Sequence, residues 1–193
     1  MSKFRRGFKA QSERRAIEVR KTLNLEEISP LSANILADHM GVRVWSAQDI
    51  QDFSQSDLNH LLHVEPDEWP AFTIRIGEHF LVVYNPSQSP RRINSVLMHE
   101  LSHIILGHEL TSAGTTTDGH LVPSNYDEAQ EAEADWLGGA LLLPRPTLLW
   151  MRKRGMSKDD AADHFHVSHE MLNWRIRMTG VDHQMRYSKK KQI

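Results

Sequence analysis

Five residues, His99-Glu100-Leu101-Ser102-His103, sit inside the apolar stretch VLMHELSHIILGH and restrict this chain more than any other feature. Ile93, Val96, Leu97, Leu101, Ile104 and Ile105 recur at helical spacing. Ser89 is placed to cap that helix and Pro90 to fill its first turn, so a core helix is predicted over about 90–108. Residues four apart lie one turn apart on the same helix face, so two imidazoles point at one spot. Zinc binds imidazole nitrogen at about 2.0–2.1 Å, a reach this spacing allows. Glu100 is turned about 100° from His99, close enough to take a proton from water at such a site without being a ligand. With 12 histidines in 193 residues, chance alone yields such a pattern in roughly one sequence in twenty. The apolar setting counts against chance, because polar side chains buried there without partners cost free energy that a metal would offset.

A catalytic zinc takes three protein ligands and keeps one position open. Glu131-Ala132-Glu133-Ala134-Asp135 provides candidates on a second helix, predicted from Asp127, with Gln130 completing a capping box, to about Leu142. Glu131 and Asp135 share a face. Glu131 is therefore the expected third ligand, and Asp135 the expected acceptor for the outer ring nitrogen of a liganding histidine. Glu133 is the second choice of ligand. Taken alone, these acids read as a solvated helix start favoured by the helix dipole. The small residues Ala132, Ala134, Gly138, Gly139 and Ala140 change that balance, because they let this helix lie close against the first. An oxyanion would need a donor beside the metal, and Tyr126 and His120, in or next to a long polar loop over 109–125, are the candidates.

The rest of the chain bounds what this site can be part of. It has no cysteine, which excludes disulfides, thiolate ligands and a cysteine nucleophile. The opening residues have no apolar core of a secretory signal, and no apolar run, that at 140–143 included, is long enough to span a bilayer; a cytoplasmic protein is expected. Residues 1–21 carry eight Lys/Arg against two acids and residues 145–193 eleven against five, leaving a strongly acidic middle suited to a cation. Helices are expected at 11–21, 32–39 and 54–63, and strands at 42–45, 72–76 and 80–84, the last two joined by a tight turn at Gly77-Glu78. Pro144 and Pro146 end the second metal helix. After a basic stretch come short helices at 157–164 and 168–178, followed by a basic tail.

Two stretches, MHELSHIILGH at 98–108 and EAEADWLGGALLLP at 131–144, resemble the ImmA/IrrE family of metallopeptidases, a gluzincin-like group. RGFKAQSERRAIEVRKTLNL and LADHMGVRVW, nearer the start, look like the N-terminal part of many members. The resemblance implies one Zn2+ per chain at His99, His103 and Glu131, with Glu100 as base. It implies a protein substrate, a helix-turn-helix repressor whose removal switches on stress-response or mobile-element genes. The fold expected is α+β: a small zincin-like domain over 1–146 with a short sheet packed on the His99–His103 helix, then a helical, helix-turn-helix-like region over 147–193.

In the expected mechanism an extended target segment pairs with strand 80–84 or with the other strand of its hairpin. Glu100 takes the proton of the attacking water and passes it to the leaving amine. The rival reading is a DNA-binding regulator, with Arg175 and Arg177 of the segment 157–180 facing a major groove, although Asp159, Asp160 and Asp163 oppose phosphate. A third is a zinc-stabilised protein that sequesters a repressor without cutting it. Zinc rather than manganese is favoured by two imidazoles and a carboxylate.

Overall fold

A computed structural model describes residues 4–50, 69–109, 113–115, 121–123 and 127–190. The fold is α+β. Helix α1 (Phe8–Thr22) and helix α2 (Ala33–Met40) lead to strand β1 (Arg43–Ser46); β2 (Ala71–Ile76) and β3 (His79–Tyr84) follow as a hairpin. Next comes α3 (Pro90–Leu106), then a short antiparallel pair, β4 (Ala113–Thr115) and β5 (Leu121–Pro123). The chain closes with α4 (Glu128–Leu142), α5 (Arg145–Lys153), α6 (Lys158–His164), α7 (His169–Thr179) and α8 (Val181–Lys190). The expected helix at 54–63 lies outside the described residues.

β3 is the middle strand of the three-stranded sheet, antiparallel to β2 and parallel to β1. Its alternation decides what each face covers. Val82 points into the main core, whereas Leu81 and Val83 join Ala47 on the other face. Helix α3 lies against β2 and β3 and presses Leu97, Met98 and Leu101 into the main core. That core is continuous, running from Ala16 and Leu36 through Leu137 and Leu141 to Phe165, Leu172 and Val181. Each large side chain so buried contributes about 1.5–3 kcal/mol of transfer free energy.

Several elements depart from expectation. α3 stops at Leu106, two residues short of the predicted end, because Gly107 adopts a left-handed turn at φ 67°. The 109–125 segment contains β4 and β5, which its polar, Gly/Thr-rich composition concealed. Pro144 and Pro146 not only end α4 but start α5, with Pro144 at the cap and Pro146 in the first turn, where a missing N–H costs nothing. The basic tail holds α8, whose Val181 is fully buried. Asp127 caps α4 as expected, its carboxylate accepting from the N–H groups of Ala129 and Gln130.

The proposed DNA contact Arg175 is corrected outright. It has no exposed surface; its Nε and Nη2 donate to the Leu143 carbonyl and its Nη2 to Glu13 of α1 at 2.5 Å. Phe165, Val167, Leu172 and Ile176 are buried with it. A guanidinium spent on the C-terminal end of α4 is not free for phosphate, so α7 has lost one of the two arginines on which the DNA reading depended. Arg177 is exposed.

Candidate metal centre

The site is a seam between two helices and a strand. The Ser89 hydroxyl accepts from Arg92 N–H and fixes the start of α3, which sets the rotation of every later residue on that helix. Gly138 lets α4 come close. A Cβ there would lie 3.3 Å from both the Met98 carbonyl oxygen and the Ser102 hydroxyl, and 3.4 Å from His99 Cα. Ala132 and Ala134 are buried along the same helix. The sequence therefore spends small residues where the two helices must touch.

That approach brings three donor atoms together. His99 Nε2 and His103 Nε2 are 3.0 Å apart; Glu131 Oε2 is 3.2 Å from the first and Glu131 Oε1 3.5 Å from the second. Ligand atoms held tetrahedrally at zinc distances are about 3.3–3.4 Å from one another. The observed spacings bracket that value, and among the described residues these are the three that converge in this way. Two imidazoles and a carboxylate thus fit a divalent ion in both chemistry and spacing. His99 Nδ1 lies 2.9 Å from Asp135 Oδ1, the outer contact expected from the Glu131/Asp135 spacing. Glu133, the second-choice ligand, is not in the cage; its Oε2 is 3.4 Å from His108 Nε2.

Glu100 faces the sheet rather than α4. Its Oε2 accepts a hydrogen bond from the Thr73 hydroxyl of β2 at 2.6 Å. Sequence reasoning did not single out Thr73, although strand alternation separates it from Phe72, Ile74 and Ile76, and it is the buried residue of a strand otherwise half-buried or exposed. Tyr126 and His120 lie outside the described residues.

Electrostatics mark the cage as strongly coupled. Burial pushes the His99 pKa down, but hydrogen bonds to Asp135 and Glu131 and the charge of Glu100 outweigh it and carry it up to about 10. Glu131 is held well below the usual carboxylate range, chiefly by its hydrogen bonds to His103 and His99. Burial pushes His108 down. In the metal-free protein the raised His99 value adds stability that is complete below its ordinary value of 6.5 and fades as pH climbs through about 10. The depressed Glu131 value adds stability that is present above its ordinary 4.5 and is lost on acidification. At pH 7 the metal-free His99 is therefore protonated, and an ion entering the cage must expel that proton. Zinc titration followed by calorimetry in two buffers of different ionisation enthalpy should show about one proton released per ion bound at pH 7. Release of none would contradict this charge state.

The sequence model of one family, described as the IrrE N-terminal-like domain, matches residues 52–177. The chain belongs to that peptidase family. The IrrE-like match takes in α3 and α4 complete, so both walls of the cage fall within it, and it makes this a metallopeptidase-type domain. It extends into α7 and begins after β1, so the N-terminal resemblance at 6–25 and 36–45 stands outside it. No curated protein sequence matches the chain significantly. Among the described residues of this IrrE-like chain no helix is long and apolar enough to cross a membrane.

Proposed function

We propose that this chain is a zinc-dependent endopeptidase acting on a helix-turn-helix repressor in the cytoplasm. The observation that carries the reading is the meeting of His99, His103 and Glu131 within 4.8 Å, with Glu100 on the neighbouring face of the same helix. A divalent ion held there supplies Lewis acidity to the scissile carbonyl and to water. His99, His103 and Glu131 hold it, and Asp135 fixes the outer nitrogen of His99. Glu100, steadied by Thr73, accepts a proton from the attacking water and delivers it to the leaving amine nitrogen as the peptide bond opens.

Substrate placement follows from sheet order. β3 is hydrogen-bonded on both sides, so strand 80–84 has no edge to offer. β2 carries Thr73, and its outer edge is unpaired among the described residues. An extended target segment adds main-chain hydrogen bonds along that edge and so lies across Glu100. The DNA-binding rival is weakened by the burial of Arg175.

The deciding experiment incubates the protein with the repressor encoded beside it, with and without a chelator. A fragment that forms only when metal is present is the expected result. An intact, stable complex would replace the peptidase reading with a sequestering one, and neither fragment nor complex would remove the proposed target.

A further inference from the structure

His108 was expected to end the α3 helix, but it stands outside it. The Gly107 N–H donates to the Ile104 carbonyl at 3.1 Å and the His108 N–H to the His103 carbonyl at 3.1 Å, the paired bonds of a Schellman turn. This turn folds His108 back over His103. Its side chain is 7% exposed, and its Nδ1 lies 3.0 Å from His103 Nδ1. Its Nε2 reaches Glu133 Oε2 on α4.

We propose that Glu133, His108 and His103 form a hydrogen-bond relay that holds His103 in position for the metal, so that the cage is braced on both histidines and not on His99 alone. The inference rests on the metal-site reading above. Its direction follows from proton counting. A metal-ready His103 keeps the lone pair of Nε2 facing His99 and Glu131, so its one ring proton is on Nδ1. Two ring nitrogens 3.0 Å apart share one proton, and His108 Nδ1 must therefore accept. The His108 proton is then on Nε2, where the Glu133 carboxylate accepts it. His99 is braced by one carboxylate directly and His103 by another through an intervening ring. Both ring nitrogens of His108 are spent on the two helices that form the cage, which a space-filling histidine would not require. His108 and Glu133 are positioning residues: both act through Nδ1 of His103, the ring nitrogen that is not in the cage.

The test measures Zn2+ affinity of the full chain by competition with a chromogenic chelator. His108→Phe keeps a flat ring but removes the acceptor, and should weaken zinc binding about 10–100-fold, with Glu133→Ala weakening it by about 10-fold. The double variant should be no worse than His108→Phe, because both act through one chain. His108→Asn places an amide oxygen near the Nδ1 position and should recover part of the loss. Recovery is the readout that a packing role would not produce. The thermal midpoint of the metal-free protein reports folding separately, and the Glu133 position, whose side chain is 20% exposed, carries the test as Ala against Gln if the Phe variant fails to fold. Zinc affinity within twofold of the parent in both His108→Phe and Glu133→Ala would overturn the relay, as would an Asn variant as weak as Phe. A parent chain that does not bind zinc would instead overturn the metal reading beneath it.

Discussion

With glutamine in place of Glu100, the protein should keep its zinc and lose cleavage by a factor of about 10²–10⁴, the usual contribution of a positioned general base. The substitution is nearly isosteric, and its amide oxygen can still accept from Thr73, so the α3–β2 contact survives. Glu100 has no part in the cage, which the adjacent histidine-bearing face of α3 forms with α4. Metal content by elemental analysis and kcat/KM on the target, measured on one preparation, separate the two properties. Cleavage undiminished by the change would defeat the assignment of Glu100 as base. Loss of zinc together with activity would mean that Glu100 is a ligand and that the division of labour is wrong.

The second large effect concerns stability. Glu13→Ala leaves the wholly buried Arg175 without its carboxylate, and removal of one partner from a buried ion pair costs about 3–5 kcal/mol. The same side chain accepts from the Arg145 N–H at 2.8 Å, at the start of α5, so a second buried-edge donor is also released. Urea unfolding of the metal-free chain should show a much lower midpoint at unchanged slope. Glu13→Gln, which keeps the acceptor oxygen and loses the charge, should fall between. A loss below about 1 kcal/mol would show that Arg175 finds other partners without Glu13.

What could be read from the sequence was whatever depends on residues close along the chain. His99 and His103 needed only helical spacing, Glu131 and Asp135 the same argument repeated, and the β2–β3 hairpin its alternation and a glycine turn. Their meeting across two helices was suggested by the small residues of α4 and agrees with the close approach at Gly138. Arg175 was misjudged because its partner Glu13 is 162 residues away, and no local pattern distinguishes an arginine aimed at solvent from one buried on a carbonyl. His108 was misplaced by one local error: Gly107 was read as part of α3, whereas its left-handed φ is what ends it. Thr73 was overlooked because a hydroxyl on a strand acquires meaning only when a helix lies across it. The IrrE-like match begins at residue 52, yet Ala16 of α1 and Leu36 of α2 belong to the same core as α3 and α4.

Helix α3 presents its two chemistries to different neighbours. The histidines depend on α4, through Glu131, Asp135 and the glycine contact at 138, whereas Glu100 depends on the sheet, through Thr73. Inactivating changes should therefore fall into two phenotypes according to which neighbour they disturb. Damage at the helix–helix junction yields an empty protein, and damage at the strand yields one fully loaded with metal and inert. Where a change of the second kind leaves the β2 backbone edge intact, as Glu100→Gln does, the loaded protein would still engage its target and act as a dominant inhibitor of the normal enzyme.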